Sequence, residues 1–192
     1  SLIGCDSRID GTVSASPSNP LNTEIFELTI LHLNDTHSFI KGDHFNLLND
    51  TILLNTTKKD GSPINKLKVS YGGYPKLITL FKKEEEASQN VLKLHAGDSI
   101  TGTKYHTLFK GPKHVSPDSV MINQICFDAF TIGNHEFDDG DSGLADFIDD
   151  LHAHACNTPV ISANTKLSKN SAAVMGKKIQ PYVIINKGGI DI

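Results

Sequence analysis

The sequence predicts an α/β layered fold, and three observations carry that reading. "FELTILHLND" (26–35), "VLKLHAGDS" (91–99) and "FDAFTIGNH" (127–135) each run apolar and then break into a polar turn, the form of a buried strand. Segments with helical spacing lie between and after them. Two further short apolar runs, "PVISANT" (159–165) and "PYVIINK" (181–187), complete a βαβαβαβ order, which implies helices layered on a sheet.

Each element has a local reason. "YPKLITLFKKEEEAS" (74–88) places Leu77, Ile78, Leu80 and Phe81 on one side with charges opposite. "SPDSVMINQI" (116–125) offers Ser116 as an N-cap and Pro117 in the first turn. "SGLADFIDDLHAHA" (142–155) repeats Leu144, Phe147, Ile148 and Leu151 at core-facing spacing. Residues 38–70 differ from all of these. They are rich in Asn, Asp, Lys and Thr, carry the turn signal "KKDGSP" (58–63), and read as a long loop or small hairpin inserted at the sheet's edge.

Composition narrows the function classes. With 192 residues the chain can bury one good-sized core. Its 18 Lys and Arg against 22 Asp and Glu leave a net charge of −4 and no basic face to track a nucleic-acid polymer. No apolar run approaches the ~20 residues that span a bilayer. The three cysteines, Cys5, Cys126 and Cys156, fit no zinc-finger spacing, and no disulfide framework is expected from them. "SLIGC" (1–5) resembles a bacterial lipobox followed by the tether-like "GTVSASPSNP" (11–20); the other reading is a frayed terminus that happens to hold a Cys. On the first reading residues 1–24 are a tether, Cys5 is a lipid anchor to the membrane, and the protein is extracytoplasmic, periplasmic or at the cell surface. The sequons at Asn34, Asn49 and Asn55 matter only for a eukaryotic secreted protein.

The chemistry collects after the strands. In open α/β sheets, ligands bind outside the carboxyl ends of the strands. Asp35 and His37 follow the first strand and point the same way if the extended geometry persists past Leu33. Asp98 follows the second strand and Asn134 the third, so O and N donors without a thiolate converge from three separated positions. That donor set suits Zn, Mn, Fe or Co. His32 and His95 lie within strands and read as core or supporting histidines, whereas His106 and His114 read as surface residues. His152 and His154 are two apart on a helix and diverge.

"LHLNDTHS" (31–38), "HAGDSITGT" (95–103) and "IGNHEFDDG" (132–140) resemble the first three blocks of the calcineurin-like metallophosphoesterases. The resemblance is to their 5′-nucleotidase branch, which includes UDP-sugar hydrolases and 2′,3′-cyclic-nucleotide phosphodiesterases. It runs from Glu27 to Asn164, "ISANT" (161–165) included. It implies an αββα sandwich, two divalent ions and a nucleotide substrate. Asp35 and His37 would hold the first metal, Asp98 would bridge both, and Asn134 would bind the second. His135 would contact the phosphate beside Asn134 and stabilise charge or protonate the leaving alkoxide, and Asp138 would form its dyad.

The chemistry is intelligible on its own terms. A water between two dications about 4 Å apart deprotonates near neutral pH and attacks phosphorus in line. The transition state then needs positive charge around the equatorial oxygens and a proton for the leaving oxygen. Glu136 and Asp139 read as solvated or structural. Family members supply two further histidines, one in a "GHxH"-like stretch, and a C-terminal nucleotide-binding domain; nothing after Asn164 resembles these. Residues 25–192 are therefore expected to be the N-terminal half of a catalytic domain, binding one metal weakly and nearly inactive without the rest. Two alternatives stand beside this: a sulfate-releasing hydrolase on the same scaffold, and a non-catalytic interaction module.

Overall fold

In a computed structural model of the chain, which describes residues 25–48, 57–64, 66–111, 113–171 and 179–192, the apolar runs become neighbouring parallel strands. The elements are β1 (Thr29–Leu33), β2 (Asp43–Leu48), β3 (Lys66–Tyr71), α1 (Tyr74–Ala87), β4 (Val91–His95), α2 (Lys104–Phe109) and α3 (Pro117–Asn123). There follow β5 (Ala129–Thr131), a 3-10 turn (His135–Phe137), α4 (Gly140–His152), β6 (Val160–Ile161), β7 (Ile179–Gln180), β8 (Asn186–Lys187) and β9 (Ile190–Asp191). The tether over residues 1–24, Cys5 and the sequons at Asn49 and Asn55 lie outside the described residues.

The main sheet has the order β1-β4-β5-β6-β7, every pair parallel. Its register sets Leu33, His95, Phe130, Val160 and Ile179 in one row across five strands. The apolar members of that row join Tyr74 and Phe81 of α1, Ile122 of α3, and Leu144, Phe147, Ile148 and Leu151 of α4 in one core. The α/β class with a parallel sheet is thus the one the sequence predicts. On the opposite face Leu92 and Ala129 are buried, yet Ile30 is 54 % exposed and His32 and Thr131 are open. His32 is therefore not a core histidine. It alternates with Leu31 and Leu33, which take the helix-covered side.

The helices follow the expected patterns with one change. In α1 the inward stripe is Tyr74, Leu77, Ile78 and Phe81, while Leu80 is 50 % exposed because it stands off the i, i+3, i+4, i+7 row. Ser116 does cap α3, its Oγ accepting the N–H of Ser119, and α2 is a helix the sequence reading had not placed. Lys93 of β4 is buried but paired: its Nζ donates to Glu85 Oε1 of α1 at 2.8 Å and to the Ile125 carbonyl at 2.9 Å. A buried ammonium costs little when its donors are taken up this way.

Of three local features, the first takes one of the expected forms and the other two differ from expectation. Residues 43–48 and 66–71 form an antiparallel hairpin in a sheet of its own, with Lys58 and Ser62 closing a turn at "KKDGSP". "PYVIINK" is not a main-sheet strand. The sheet strand ends at Gln180, just before Pro181, which has no N–H to give a ladder, and the apolar run folds on its own continuation, Ile185 pairing with Ile192. Cys126 and Cys156 are joined in a disulfide with Cα atoms 5.2 Å apart, against the expectation of no framework. Their separation of 30 residues matches no motif; only the return of the chain through β5 and α4 brings them together.

Candidate metal centre

β1, β4 and β5 are neighbours in the sheet, so the loops leaving their carboxyl ends must lie side by side. The pairing of β1 with β4 continues into those loops. Asp35 donates its N–H to the Gly97 carbonyl at 3.0 Å, His37 to Asp98 at 3.1 Å, and Ser38 to Ser99 at 2.8 Å.

The backbone there is not extended. Asp35, His37, Ser38 and Asp98 take φ values of 51°, 44°, 53° and 52°, in the left-handed region, so the same-side geometry expected past Leu33 gives way to a tight turn. Each such residue stores on the order of 1–3 kcal/mol, and strain of this kind gathers at functional sites. Two glycines let the loops close. A Cβ on Gly97 would lie 2.4 Å from the Gly133 nitrogen, and one on Gly133 would lie 2.3 Å from Asp98 Oδ1.

The loops bring His37, Asp98 and His135 together, one ligand atom from each lying within 4.8 Å of the others. Asp35 stands beside this trio, its Oδ1 3.7 Å from His37 Nε2, while its other oxygen accepts from the Asn34 amide. Asn134 opens the 3-10 turn, is exposed, and makes no side-chain capping bond. The donors are imidazoles and carboxylates with no thiolate, which fits a divalent transition ion.

His135 is held at three points. Its N–H donates to Asp98 Oδ1 at 2.9 Å, its Nδ1 meets Asp138 Oδ2 at 2.8 Å, and its ring meets that of His37 edge-on with centroids 4.9 Å apart. The hydrogen bond to Asp138 raises the pKa of His135 above the ordinary imidazole value, and the Asp138 and Asp98 charges reinforce it. His135 in turn holds the Asp138 carboxyl below the usual value. The bond to Asp138 engages Nδ1, so Nε2, on the other side of the ring, is turned away from that carboxylate.

Other side chains shape the site without having been foreseen. Glu136, read as solvated or structural, is fully buried and structural. Asp118, at the start of α3, is also fully buried; its Oδ2 accepts the Ser38 hydroxyl at 2.8 Å, and burial pushes its pKa to about 7. The buried Tyr74 hydroxyl shares a 3.0 Å bond with Thr36. His95, as expected, is a core histidine: it stacks on Phe130, its Nδ1 accepts the Gly97 N–H at 3.1 Å, and burial lowers its pKa to about 3. His106 is not a surface residue. Its Nε2 lies 2.8 Å from Asp139 Oδ2, joining α2 to the start of α4. For Glu136 the available signal was a carboxylate three residues after the strand's final Gly133; for Asp118 it was only a helix-start position.

Three comparisons place these loops among known proteins. The calcineurin-like phosphoesterase model matches residues 28–190. A probable 5′-nucleotidase of Treponema pallidum is 36 % identical over 164 residues, covering 85 % of this chain and 24 % of that protein. The structure of Haemophilus influenzae NAD nucleotidase superposes with a TM-score of 0.66 at 36 % identity, covering 85 % of this chain and 25 % of that one. A 5′-nucleotidase precursor from Thermus thermophilus gives 0.62 at 28 % identity, with coverages of 85 % and 27 %. The chain thus spans about a quarter of the length of these relatives. It belongs to the calcineurin-like phosphoesterases, in their 5′-nucleotidase branch.

Proposed function

We propose that the chain contributes the N-terminal metal and acid groups of a hydrolase that releases phosphate from nucleotides. The observation that carries this is the convergence of His37, Asp98 and His135 from three separate loops at the carboxyl ends of adjacent strands. Asp35 and His37 would hold a first divalent ion, and Asp98 and Asn134 would help to hold a second. Such a pair, when bound, supplies Lewis acidity and an activated water.

The chain's own residues do the rest. Asn134, free of any capping bond, is available to a phosphate oxygen or to the second ion. His135 carries a proton at Nε2 while Asp138 holds Nδ1–H, so it faces the phosphoryl oxygens with positive charge and can give that proton to the departing ribose oxygen. The names of the relatives, 5′-nucleotidases and an NAD nucleotidase, support a nucleotide as substrate, and the net charge of −4 disfavours a polymer.

Asp98 and Asn134 are fewer protein ligands than a tightly held second ion has. The remainder of a longer chain completes that shell and supplies the base-binding part. The Cys126–Cys156 bridge supports an oxidising, extracytoplasmic location. The test is phosphate and sulfate release from nucleoside monophosphates and a sulfate-ester analogue, with Mn or Zn, by the 192-residue chain and by the longer protein. Phosphate release by the longer protein, with little or none from the chain alone, is the expected result. Robust turnover by the chain alone removes the need for a completing part, and release of sulfate only overturns the nucleotidase reading.

A further inference from the structure

Glu136 is fully buried although it sits between His135 and Phe137 in a polar turn. Its Oε1 accepts the Ser99 N–H at 2.8 Å and the Ser99 hydroxyl at 2.9 Å. Its Oε2 accepts the Asp98 N–H at 2.9 Å and the Gly133 N–H at 2.6 Å. A single oxygen therefore joins the loop after β4 to the loop after β5. Asp98 returns the connection through its own side chain, Oδ1 accepting the His135 N–H at 2.9 Å. Backbone 98 is tied to side chain 136, and side chain 98 to backbone 135.

From this cross-tie we infer that Glu136 is a positioning residue that sets the distance between the Asp98 carboxylate and the Asn134–His135 pair, and with it the spacing of the two ions. The inference rests on the dimetal reading above. An ionised carboxylate is the side chain that offers four acceptor sites and no donor, and bonds to its charge are the strong ones. Gln is nearly isosteric but fails on either flip: its NH2 faces the Asp98 and Gly133 N–H groups, or the Ser99 N–H. The Ser99 hydroxyl can turn away, whereas a backbone N–H cannot. Asp is one methylene short and reaches one loop at the cost of the other. Because Glu136 is fully buried and both its oxygens are taken up by donors of Asp98, Ser99 and Gly133, its removal acts on where Asp98 stands.

A merely structural Glu136 would lower stability and leave the spacing unchanged, so the decisive readout is magnetic. The longer protein, loaded with Mn(II), is compared as wild type, Glu136→Gln, Glu136→Asp and Ser99→Ala by EPR, metal content and thermal unfolding. The wild type is expected to show the coupled spectrum of a close Mn pair. Glu136→Gln is expected to keep a cooperative unfolding transition, to lose on the order of tenfold to a hundredfold in affinity for the second Mn, and to show isolated Mn(II) signals. Ser99→Ala, which removes one hydroxyl bond and leaves all the backbone ties, is expected to stay within about twofold of wild type. If Glu136→Gln does not fold, Glu136→Asp carries the same criterion. A coupled spectrum with wild-type affinity in the folded variant overturns the inference alone. A wild type that binds no Mn pair sinks the dimetal reading, and the inference with it.

Discussion

The imidazole of His37 meets that of His135 edge-on, with 4.9 Å between ring centroids and 82° between ring planes. One ring leaves β1 and the other leaves β5, with β4 between them in the sheet. Asp98 lies beside both rings, one ligand atom from each of the three residues standing within 4.8 Å of the others.

The His135–Asp138 pair makes a pH prediction. The folded pKa of His135 lies above its unfolded value, so the pairing contributes stability at pH below the ordinary imidazole pKa and loses it as pH rises through the folded one. In the metal-free chain, Asp138→Asn is expected to move the His135 ring-proton NMR titration to lower pH. In the longer protein, His135→Ala is expected to cut kcat by about 10²–10⁴ with metal content unchanged. An unmoved titration would show that Asp138 does not tune this ring.

Asp118 acts in the opposite sense to an ordinary surface carboxyl. Its pKa rises from 3.8 to about 7 on folding because burial penalises the charge. Between those values the folded chain keeps a proton that the unfolded chain releases, so stability falls as pH rises through that window, by a few kcal/mol at most. Urea unfolding of the metal-free chain from pH 4 to 7 checks this, and Asp118→Asn is expected to flatten the slope. A slope equal to wild type in that variant contradicts it.

The glycines at the loop crossing make a steric prediction. Gly133→Ala drives a methyl group onto Asp98 Oδ1 and the Asp98 nitrogen, so either the β4 loop or the β5 loop must move. A loss of about 1–3 kcal/mol of stability is expected, with weaker Mn binding in calorimetry. Gly61→Ala meets no atom within 4 Å and serves as the control: its positive φ costs about 1 kcal/mol and leaves metal binding intact.

The disulfide predicts a redox effect on stability away from the chemistry. Cys126 precedes β5 and Cys156 precedes β6, at the end of the sheet opposite the metal loops. Closing a loop of 30 residues is worth about 3–4 kcal/mol by loop entropy, so dithiothreitol or Cys126→Ser with Cys156→Ser is expected to lower the free energy of unfolding by roughly that amount. Mn affinity at room temperature is expected to stay within twofold, and a larger loss would show coupling between the two ends of the sheet.

Strand and helix identity were legible wherever periodicity and burial agree. The stripe of α4 (Leu144, Phe147, Ile148, Leu151) needed only its spacing, and the metal candidates needed only their place after apolar runs, because a parallel strand must end in a polar loop at the sheet's carboxyl edge. "PYVIINK" misled because an apolar alternation says nothing about which partner it will pair with.

Residue types and their order along the chain were enough to determine the α/β class and the family, since the first depends on local hydrophobic pattern and the second on the motifs that follow the strands. Tertiary structure decided what distance along the chain hides: that Glu136 is a buried cross-tie, that burial raises the pKa of Asp118, that Cys126 meets Cys156, and that Asp35 and His37 reach the site through left-handed backbone. Each of those depends on which atoms end up adjacent after the strands pair, and a carboxylate or a thiol looks the same in sequence whether water or four backbone donors await it.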